Sequence, residues 1–367
     1  MHRREFFRKL LGSAAGAAML KGRWLWAQDS QAPELPPVPA AGKAAAELAA
    51  KLPRWRGFNL LEKFMAHNNR PFIERDFQWI RQWGFDFARL PMSYHCWTDP
   101  AKPYEYDQKN LKQIDQAVAW GRQYGVHVSL NLHRAPGYTV ARPAEKLDLW
   151  TSAEAQKQFN AQWAMFARRY KGISPKQLSF DLVNEPAKVE SAPYARVAAG
   201  AIAAIRKVDP DRLVISDGLN FGRIPCFELV GAQVAQSTRG YEPFMLTHYK
   251  AGWVNSKEWP EPKWPGRRGQ DAAWLKTKCI EPWQKLEEKG VGVHVGEWGS
   301  YNHTPHEVVL AWAEDLLGLW KQAGWGWGLW NLRGPFGVVD SKRQDVKYED
   351  FQGHKLDKAF LELLQAN

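Results

Sequence analysis

The sequence predicts a single (β/α)8 barrel. Short apolar runs alternate with longer amphipathic stretches along the chain, which is typical of repeated βα units with a mainly parallel sheet. Eight such units can be counted, and the composition does not change between residues 51 and 367. An open doubly wound sheet is the alternative, but no glycine-rich nucleotide loop follows its first strand.

The elements follow one another in a regular order. The predicted strands are Arg56 to Leu60, Asp86 to Leu90, His127 to Leu132, Leu178 to Val183, Leu213 to Ser216, Met245 to His248, Gly292 to Gly296 and Gly326 to Trp330. The predicted helices are Phe72 to Trp83, Leu111 to Tyr124, Ala153 to Tyr170, Tyr194 to Val208, Ala272 to Lys289, Pro305 to Gln322 and Leu356 to Leu364. The fifth crossover, near Glu228 to Gln236, is short.

The N-terminus has the pattern of an export signal. Basic residues precede a small-residue apolar run that ends near Ala27, and the string RREFFRK resembles the bacterial twin-arginine signal. We therefore predict a signal over 1–27, a linker rich in Pro and Ala over 28–50, and a catalytic barrel over 51–367. The mature protein is expected to be exported, to the periplasm or the extracellular space.

Composition excludes several classes of protein. The net charge of +11 falls to about +6 without the signal, which carries six Lys or Arg and one acid, and no long basic run indicates nucleic-acid binding. No apolar stretch reaches the roughly 20 residues of a membrane span. Three cysteines are too few and too widely spaced for a zinc knuckle or a disulfide framework.

The 20 tryptophans are the one compositional outlier. Many lie in helical stretches and are predicted to be core. Trp97, Trp253, Trp259 and Trp264 instead lie among Pro, Gly and polar residues. An exposed ring of this size is costly unless something stacks on it, and the flat apolar face of a sugar is one candidate. Packing within the loops is the alternative.

Catalytic groups of such barrels project from the C-terminal ends of the strands. Polar residues at the predicted strand ends form a set that folding alone does not explain, because burying many ionisable groups together costs stability. The set consists of Arg89, His133, Asn184, Glu185, His248, Tyr249 and Glu297, with Trp330 at the end of the last strand.

Two carboxylates facing one site suit acid/base and nucleophilic chemistry on a glycosidic bond. One must be protonated while the other is ionised, so their surroundings must push the two pKa values apart. Glu297 is the predicted nucleophile and Glu185 the predicted acid and later base, with Asn184 donating to the sugar 2-hydroxyl. A metal site is the other use of such groups, but His303 and His306 lack a third ligand nearby, so we predict neither metal nor cofactor.

Several motifs resemble glycoside hydrolase family 5, the cellulase family of the retaining (β/α)8 glycosidase clan. They are NLHRAPGY (131–138), FDLVNEP (180–186), THY (247–249), VGEWG (295–299) and WNLRGPFGVVDSKRQD (330–345). The resemblance implies Glu185 as acid/base and Glu297 as nucleophile. It also implies a surrounding set that binds the substrate, made up of Arg89, His133, Asn184, His248 and, as the floor of a sugar subsite, Trp330.

One position departs from the family pattern. The family usually has His, any residue and then Tyr after the sixth strand, whereas Tyr249 directly follows His248 here and Lys250 takes the third place. Either Tyr249 or Lys250 could therefore face the nucleophile.

The resemblance leaves the substrate open. We expect a monomeric retaining glycosidase acting on an oligo- or polysaccharide, with a β-1,4-glucan as first choice. A β-mannanase, an exo-β-glucanase and a non-catalytic carbohydrate-binding barrel are the alternatives, since one fold supports many activities.

Overall fold

The computed structural model describes residues 35–367. Eight parallel strands form a barrel in which each strand pairs with the next one in sequence. The last strand pairs with the first, which closes the ring. The strands are β1 Arg56–Asn59, β2 Phe87–Ser93, β3 His127–Ala135, β4 Leu178–Asp181, β5 Leu213–Asp217, β6 Ala235–Gly240, β7 Val293–Trp298 and β8 Trp327–Leu329. The predicted single (β/α)8 barrel is confirmed.

Helices surround the barrel and cover its outer face. They are α1 Lys43–Ala50, α2 Glu74–Gln82, α3 Gln108–Tyr124, α4 Ala153–Tyr170, α5 Ser191–Arg206, the single turns α6 Leu219–Gly222, α7 Phe244–Thr247 and α8 Ala272–Leu275, then α9 Glu281–Glu287, α10 His306–Ala323 and α11 Lys358–Ala366. A π-helical turn, Lys276–Ile280, joins α8 to α9. None of the helices in residues 35–367 has the length and apolar character of a membrane span.

Helix α1 lies within the stretch predicted as a linker. Its small apolar face is buried, and Leu48 and Ala49 pack with Phe87, Leu213 and Ala235. These last three residues begin strands β2, β5 and β6, so α1 closes the N-terminal end of the barrel. The folded unit therefore begins before residue 51, because this end of the barrel needs an apolar cover. The predicted signal at 1–27 lies outside the described residues.

The sixth strand differs from the prediction. Met245 to His248, predicted as a strand, belong to and follow the helical turn α7, and the barrel strand is β6. Every residue of β6 is buried although its sequence, AQSTRG, is mostly polar. Gln236 bonds the backbone of Cys226, and Thr238 donates to the carbonyl of Gly222. Hydrogen bonds to neighbours thus allow burial without an apolar pattern.

The loop tryptophans divide between the two alternatives. Trp97 is buried and donates to Gln162, and the half-buried Trp264 donates to Asp315 on α10. Trp253 is 61% exposed, and its ring lies 4.9 Å from that of Tyr301. Packing within the protein therefore accounts for Trp97 and Trp264, whereas Trp253 has an exposed aromatic face.

Candidate active site

Charged side chains meet at the C-terminal end of the barrel. Arg89 lies within β2, Arg239 near the end of β6, and Glu297 near the end of β7. Asn184 and Glu185 lie just beyond β4. Parallel strands end on the same side of the barrel, which is why residues far apart in sequence converge here.

Arg89 connects much of the site. Its side chain is buried, and its guanidinium donates to Glu297 at 2.5 Å, to Asp181 at 2.7 Å and to the Asn184 oxygen at 3.1 Å. Asn59 also accepts from Arg89, and its amide nitrogen donates to the backbone of β7 and β8. The Arg89 guanidinium therefore keeps a fixed orientation under Glu297.

Glu297 is surrounded by donors. Besides Arg89, the Tyr241 hydroxyl donates to it at 3.2 Å, and Arg239 Nη2 lies 3.6 Å from its Oε1. Charge-assisted hydrogen bonds of this kind stabilise the anionic form of a carboxyl group. The surroundings of Glu297 thus suit a carboxylate that attacks an electrophile.

Glu185 has different surroundings. Its side chain is 15% exposed, and its one side-chain hydrogen-bond donor among the described residues is Arg239 Nε at 3.1 Å. Burial, and next the negative charge of Glu297, raise the pKa of Glu185 to about 7. A carboxyl group that keeps its proton near neutral pH suits a general acid. The surroundings of the two glutamates therefore differ, because Glu185 has a raised pKa whereas Glu297 accepts hydrogen bonds from Arg89 and Tyr241.

The backbone at Glu185 is also held in place. Its φ of 49° lies in the left-handed region, which costs a non-glycine residue about 1–3 kcal/mol. The Tyr138 hydroxyl donates to the Glu185 carbonyl, and the Glu185 N–H donates to Asp217, both at 2.7 Å. These bonds offset the unfavourable backbone conformation and aim the side chain.

The oxygen and the nitrogen of the Asn184 side-chain amide differ in their hydrogen bonds. Its oxygen accepts from Arg89 at 3.1 Å and from Arg239 at 2.9 Å, which fixes the orientation of the amide. Its nitrogen is buried and has no hydrogen-bond partner among the described residues. An unpaired buried donor beside two carboxyl groups is ready to bind a ligand hydroxyl.

His133 and Trp330 form one wall of the site. Their rings stack with centroids 5.6 Å apart, and Phe64 packs edge-on against both. Burial and the charges of Arg89 and Arg239 hold the pKa of His133 well below its usual range, so the ring is neutral. The half-buried Trp330 presents a flat apolar surface of the kind on which a sugar ring stacks.

His248 and Tyr249 do not end a strand, because strand six lies earlier in the chain. The His248 ring is 5.2 Å from that of Tyr241 and stacks on Phe244, so it packs beside the tyrosine that bonds Glu297. Tyr249 lies under the Lys250 ammonium, which is 4.9 Å from its ring centroid. Neither Tyr249 nor Lys250 makes the bond to Glu297, which comes from Tyr241.

Sequence reasoning missed Tyr241, Arg239, Asp217 and Tyr138. The signal for the first two is the triplet Arg239, Gly240 and Tyr241, which has the spacing of the family's His, any residue and Tyr with Arg in the place of His. Among residues 35–367 no group of three metal-ligating side chains comes together. His306 instead pairs with Asp357, with 2.9 Å between Nε2 and Oδ2.

Comparison with known proteins identifies the family. The model of the cellulase family, glycosyl hydrolase family 5, matches residues 43–334. Endoglucanase C of Acetivibrio thermocellus is 25% identical over 313 residues, which cover 77% of this chain and 90% of that protein. Cellodextrinase A of Ruminococcus flavefaciens is 25% identical over 262 residues, covering 68% and 75% respectively.

Solved structures show the same relationship. A crystal structure of a glycoside hydrolase is 39% identical, with a TM-score of 0.81 over 85% of this chain and 99% of that one. Thermotoga maritima Cel5A in complex with cellobiose, 22% identical, has the same fold with a TM-score of 0.68 over 86% of this chain and 98% of that one. The chain therefore belongs to glycosyl hydrolase family 5 and is a glycosidase that hydrolyses O-glycosyl bonds.

Proposed function

We propose that the enzyme hydrolyses a β-1,4-glucan with retention of configuration, by double displacement with Glu297 as nucleophile and Glu185 as acid/base. One observation carries the proposal, namely the contrast between the two carboxyl groups. Glu297 accepts from Arg89 and Tyr241, whereas burial and the Glu297 charge raise the pKa of Glu185 to about 7.

In the first displacement, Glu297 attacks the anomeric carbon. The bond from that carbon to the leaving oxygen breaks, and this oxygen takes the proton of Glu185. The free amide nitrogen of Asn184 donates to the 2-hydroxyl, a bond that strengthens as the ring approaches an oxocarbenium ion. Trp330 supports the apolar face of the same sugar.

In the second displacement, the roles reverse. Glu185, now ionised, takes a proton from water, and the water oxygen bonds to the anomeric carbon as the ester to Glu297 breaks. Arg89 and Tyr241 then stabilise the returning carboxylate. Each displacement inverts the anomeric carbon once, so the product keeps the β configuration.

The choice of substrate rests on the relatives. Endoglucanase C aligns over most of both chains, which supports a β-glucan cleaved within the chain. Reducing-sugar release from β-1,4-glucan, β-1,3-glucan, β-mannan and xylan tests this choice, and we expect β-1,4-glucan to be cleaved fastest. Faster release from mannan would make the enzyme a mannanase, and binding without release would indicate a non-catalytic barrel.

The stereochemical outcome tests the mechanism separately. Retaining enzymes have carboxyl groups about 5 Å apart, which leaves no room for a water between nucleophile and sugar. Proton NMR of the anomeric signals, recorded before mutarotation, should show β product first. Initial α product would mean inversion and would remove Glu297 as a covalent nucleophile.

We also propose that the protein is exported. The N-terminal string RREFFRK and the apolar run after it support a twin-arginine route. Fractionation of a bacterial host that expresses the full chain should find activity in the periplasm or medium, and replacement of Arg3 and Arg4 by Lys should retain it in the cytoplasm.

A further inference from the structure

A buried ion pair lies directly beside Glu185. Asp217, at the end of β5, and Arg239, near the end of β6, are 0% and 4% exposed. Arg239 Nη1 donates to Asp217 Oδ1 at 3.0 Å, and Nη2 donates to Oδ2 of the same carboxylate. Two parallel bonds between a planar guanidinium and a carboxylate fix both groups in one geometry.

Each member of the pair also binds Glu185. Arg239 Nε donates to Glu185 Oε1 at 3.1 Å, and Asp217 Oδ2 accepts the Glu185 N–H at 2.7 Å. One member therefore holds the carboxyl group, and the other holds the left-handed backbone from which that carboxyl projects. Arg239 Nη2 also bonds the Asn184 oxygen at 2.9 Å.

The triplet Arg239, Gly240 and Tyr241 has the spacing of the family's His, any residue and Tyr, with Arg in the place of His. An imidazole has two ring nitrogens, whereas the guanidinium has five N–H donors in a planar fork. Arg239 uses that fork to contact Asp217, Glu185 and Asn184 together. This set of contacts needs an arginine and an acid opposite it.

We propose that Asp217 and Arg239 are a positioning pair that holds Glu185 in its working geometry and, by cancelling each other's charge, lets Arg239 contact the acid without ionising it. The inference rests on the proposed role of Glu185. Neither member is required to touch the substrate. Asp217 acts through Glu185, and Arg239 acts through Glu185 and also holds the Asn184 amide.

The charges around Glu185 explain why a pair is needed. Negative groups facing it are Glu297 and Asp217, positive groups are Arg239 and Arg89, and the hydroxyls of Tyr138 and Tyr241 are neutral. A lone guanidinium at 3.1 Å would favour the ionised form of Glu185. Burial and the Glu297 charge raise the pKa of Glu185, and the negative charge of Asp217 adds to them by opposing the effect of Arg239.

Replacement of Asp217 by Asn tests the charge balance. Asn keeps the size and an oxygen that accepts the Glu185 N–H but removes the negative charge, so the pKa of Glu185 should fall. As the pH rises, Glu185 then loses its proton earlier, so the activity that needs protonated Glu185 declines from a lower pH than in the wild type. We expect the alkaline limb of kcat/KM on an unactivated β-glucan oligosaccharide to move down by about one pH unit.

A second buried pair supplies the matched control. Asp209 pairs with Arg212 at 2.8 Å, and Arg212 also bonds the carbonyl of Leu178 at the start of β4, at the opposite end of the barrel. Asp209→Asn should lower thermal stability but leave the pH profile unchanged. A shift in both variants would show a general effect of lost ion pairs and would overturn the inference.

Replacement of Arg239 by Lys tests the geometry of its hydrogen bonds while the positive charge is kept. Lysine keeps the positive charge but cannot contact Asp217 and Glu185 with one fork. We expect kcat on the oligosaccharide to fall at least about 10-fold, and kcat on an activated aryl glycoside to fall less, because that leaving group hardly needs a proton. Equal losses on both substrates would contradict a role through Glu185.

A titration that needs no turnover completes the test. In protein labelled with carbon-13 at the Glu side-chain carboxyl, NMR follows Glu185 directly, with Glu185→Gln identifying the signal. A lower titration midpoint in folded Asp217→Asn than in wild type supports the pair, and an unchanged midpoint overturns it. If wild type cleaved no glycoside, the proposed function would fail while this measurement still decided the charge balance.

Discussion

Glu185 and Glu297 carry the same functional group in two surroundings. Glu297 accepts hydrogen bonds from Arg89 and Tyr241, whereas Glu185 accepts from Arg239 and is repelled by the Glu297 charge. The difference in role that we propose therefore comes from neighbours, not from the residues themselves.

Glu185→Ala should discriminate between leaving groups. We expect kcat/KM on polymer to fall about 10²–10⁴-fold, because the leaving oxygen is no longer protonated. An aryl glycoside with a good leaving group should lose less, and added azide should restore its turnover by replacing water in the second displacement. Glu314→Ala, at an exposed position of α10, is the control. Equal losses on both substrates would contradict the acid role.

Tyr241→Phe should affect the chemical step. The hydroxyl bonds Glu297, and loss of a hydrogen bond to a charged group costs about 1.5–3 kcal/mol, or about 10- to 100-fold in kcat with little change in KM. Tyr249→Phe is the matched control, since that tyrosine stacks under Lys250 instead. A larger effect at Tyr249 than at Tyr241 would mean that the assignment is wrong. Steady-state kinetics on one soluble oligosaccharide measures both variants.

At the scale of elements, the strands differ in how clearly the sequence pattern predicts them, and β6 is the one that it does not predict. Strands such as β3 and β7 carry Val or Leu at alternate positions, so their ends, and with them His133 and Glu297, could be predicted. β6 buries Gln236 and Thr238 through hydrogen bonds to Cys226 and Gly222, earlier in the chain, and its strand pattern carries no apolar run that would reveal it. The apolar turn α7 was therefore mistaken for the strand, and Arg239 and Tyr241 were missed.

Gly240 tests the packing of β6. A Cβ there would lie 2.7 Å from Trp298 Cβ and 2.7 Å from the Trp320 ring, both in the rigid core. We expect Gly240→Ala to lower the free energy of unfolding by about 1–3 kcal/mol. Gly318→Ala on α10, whose Cβ would meet no atom within 4 Å, should instead be neutral or stabilising. Thermal melts compare the two, and equal stability would argue against a packed β6.

In the molecule as a whole, the charged side chains of the candidate site and the apolar cover of the barrel lie at opposite ends of the barrel. The charged cluster lies at the C-terminal ends of the strands, and α1 covers the N-terminal end. The barrel could be predicted from its repeated units, but α1 could not. Its buried face consists only of Ala45, Leu48 and Ala49, and its composition matches that of the predicted linker.

Leu48→Ala should therefore affect stability alone. Removing this buried side chain should cost about 2 kcal/mol and lower Tm, while KM and kcat at 25 °C stay unchanged. Lys43→Ala on the exposed face of α1 is the control, because the Lys43 side chain is 91% exposed. An unchanged Tm in Leu48→Ala would mean that α1 does not cover the barrel, and a changed KM would mean that the two ends are coupled.

The central claim is that Glu297 forms a covalent bond to the sugar, and trapping that bond tests it most directly. A 2-deoxy-2-fluoro β-cellobioside with a good leaving group should react once, because the fluorine slows the second displacement more than the activated first one. Mass spectrometry of the digested protein should then find one fluoroglycosyl group on the peptide that contains Glu297, and none in Glu297→Gln. A label on Glu185, or full turnover without any labelled peptide, would contradict the account.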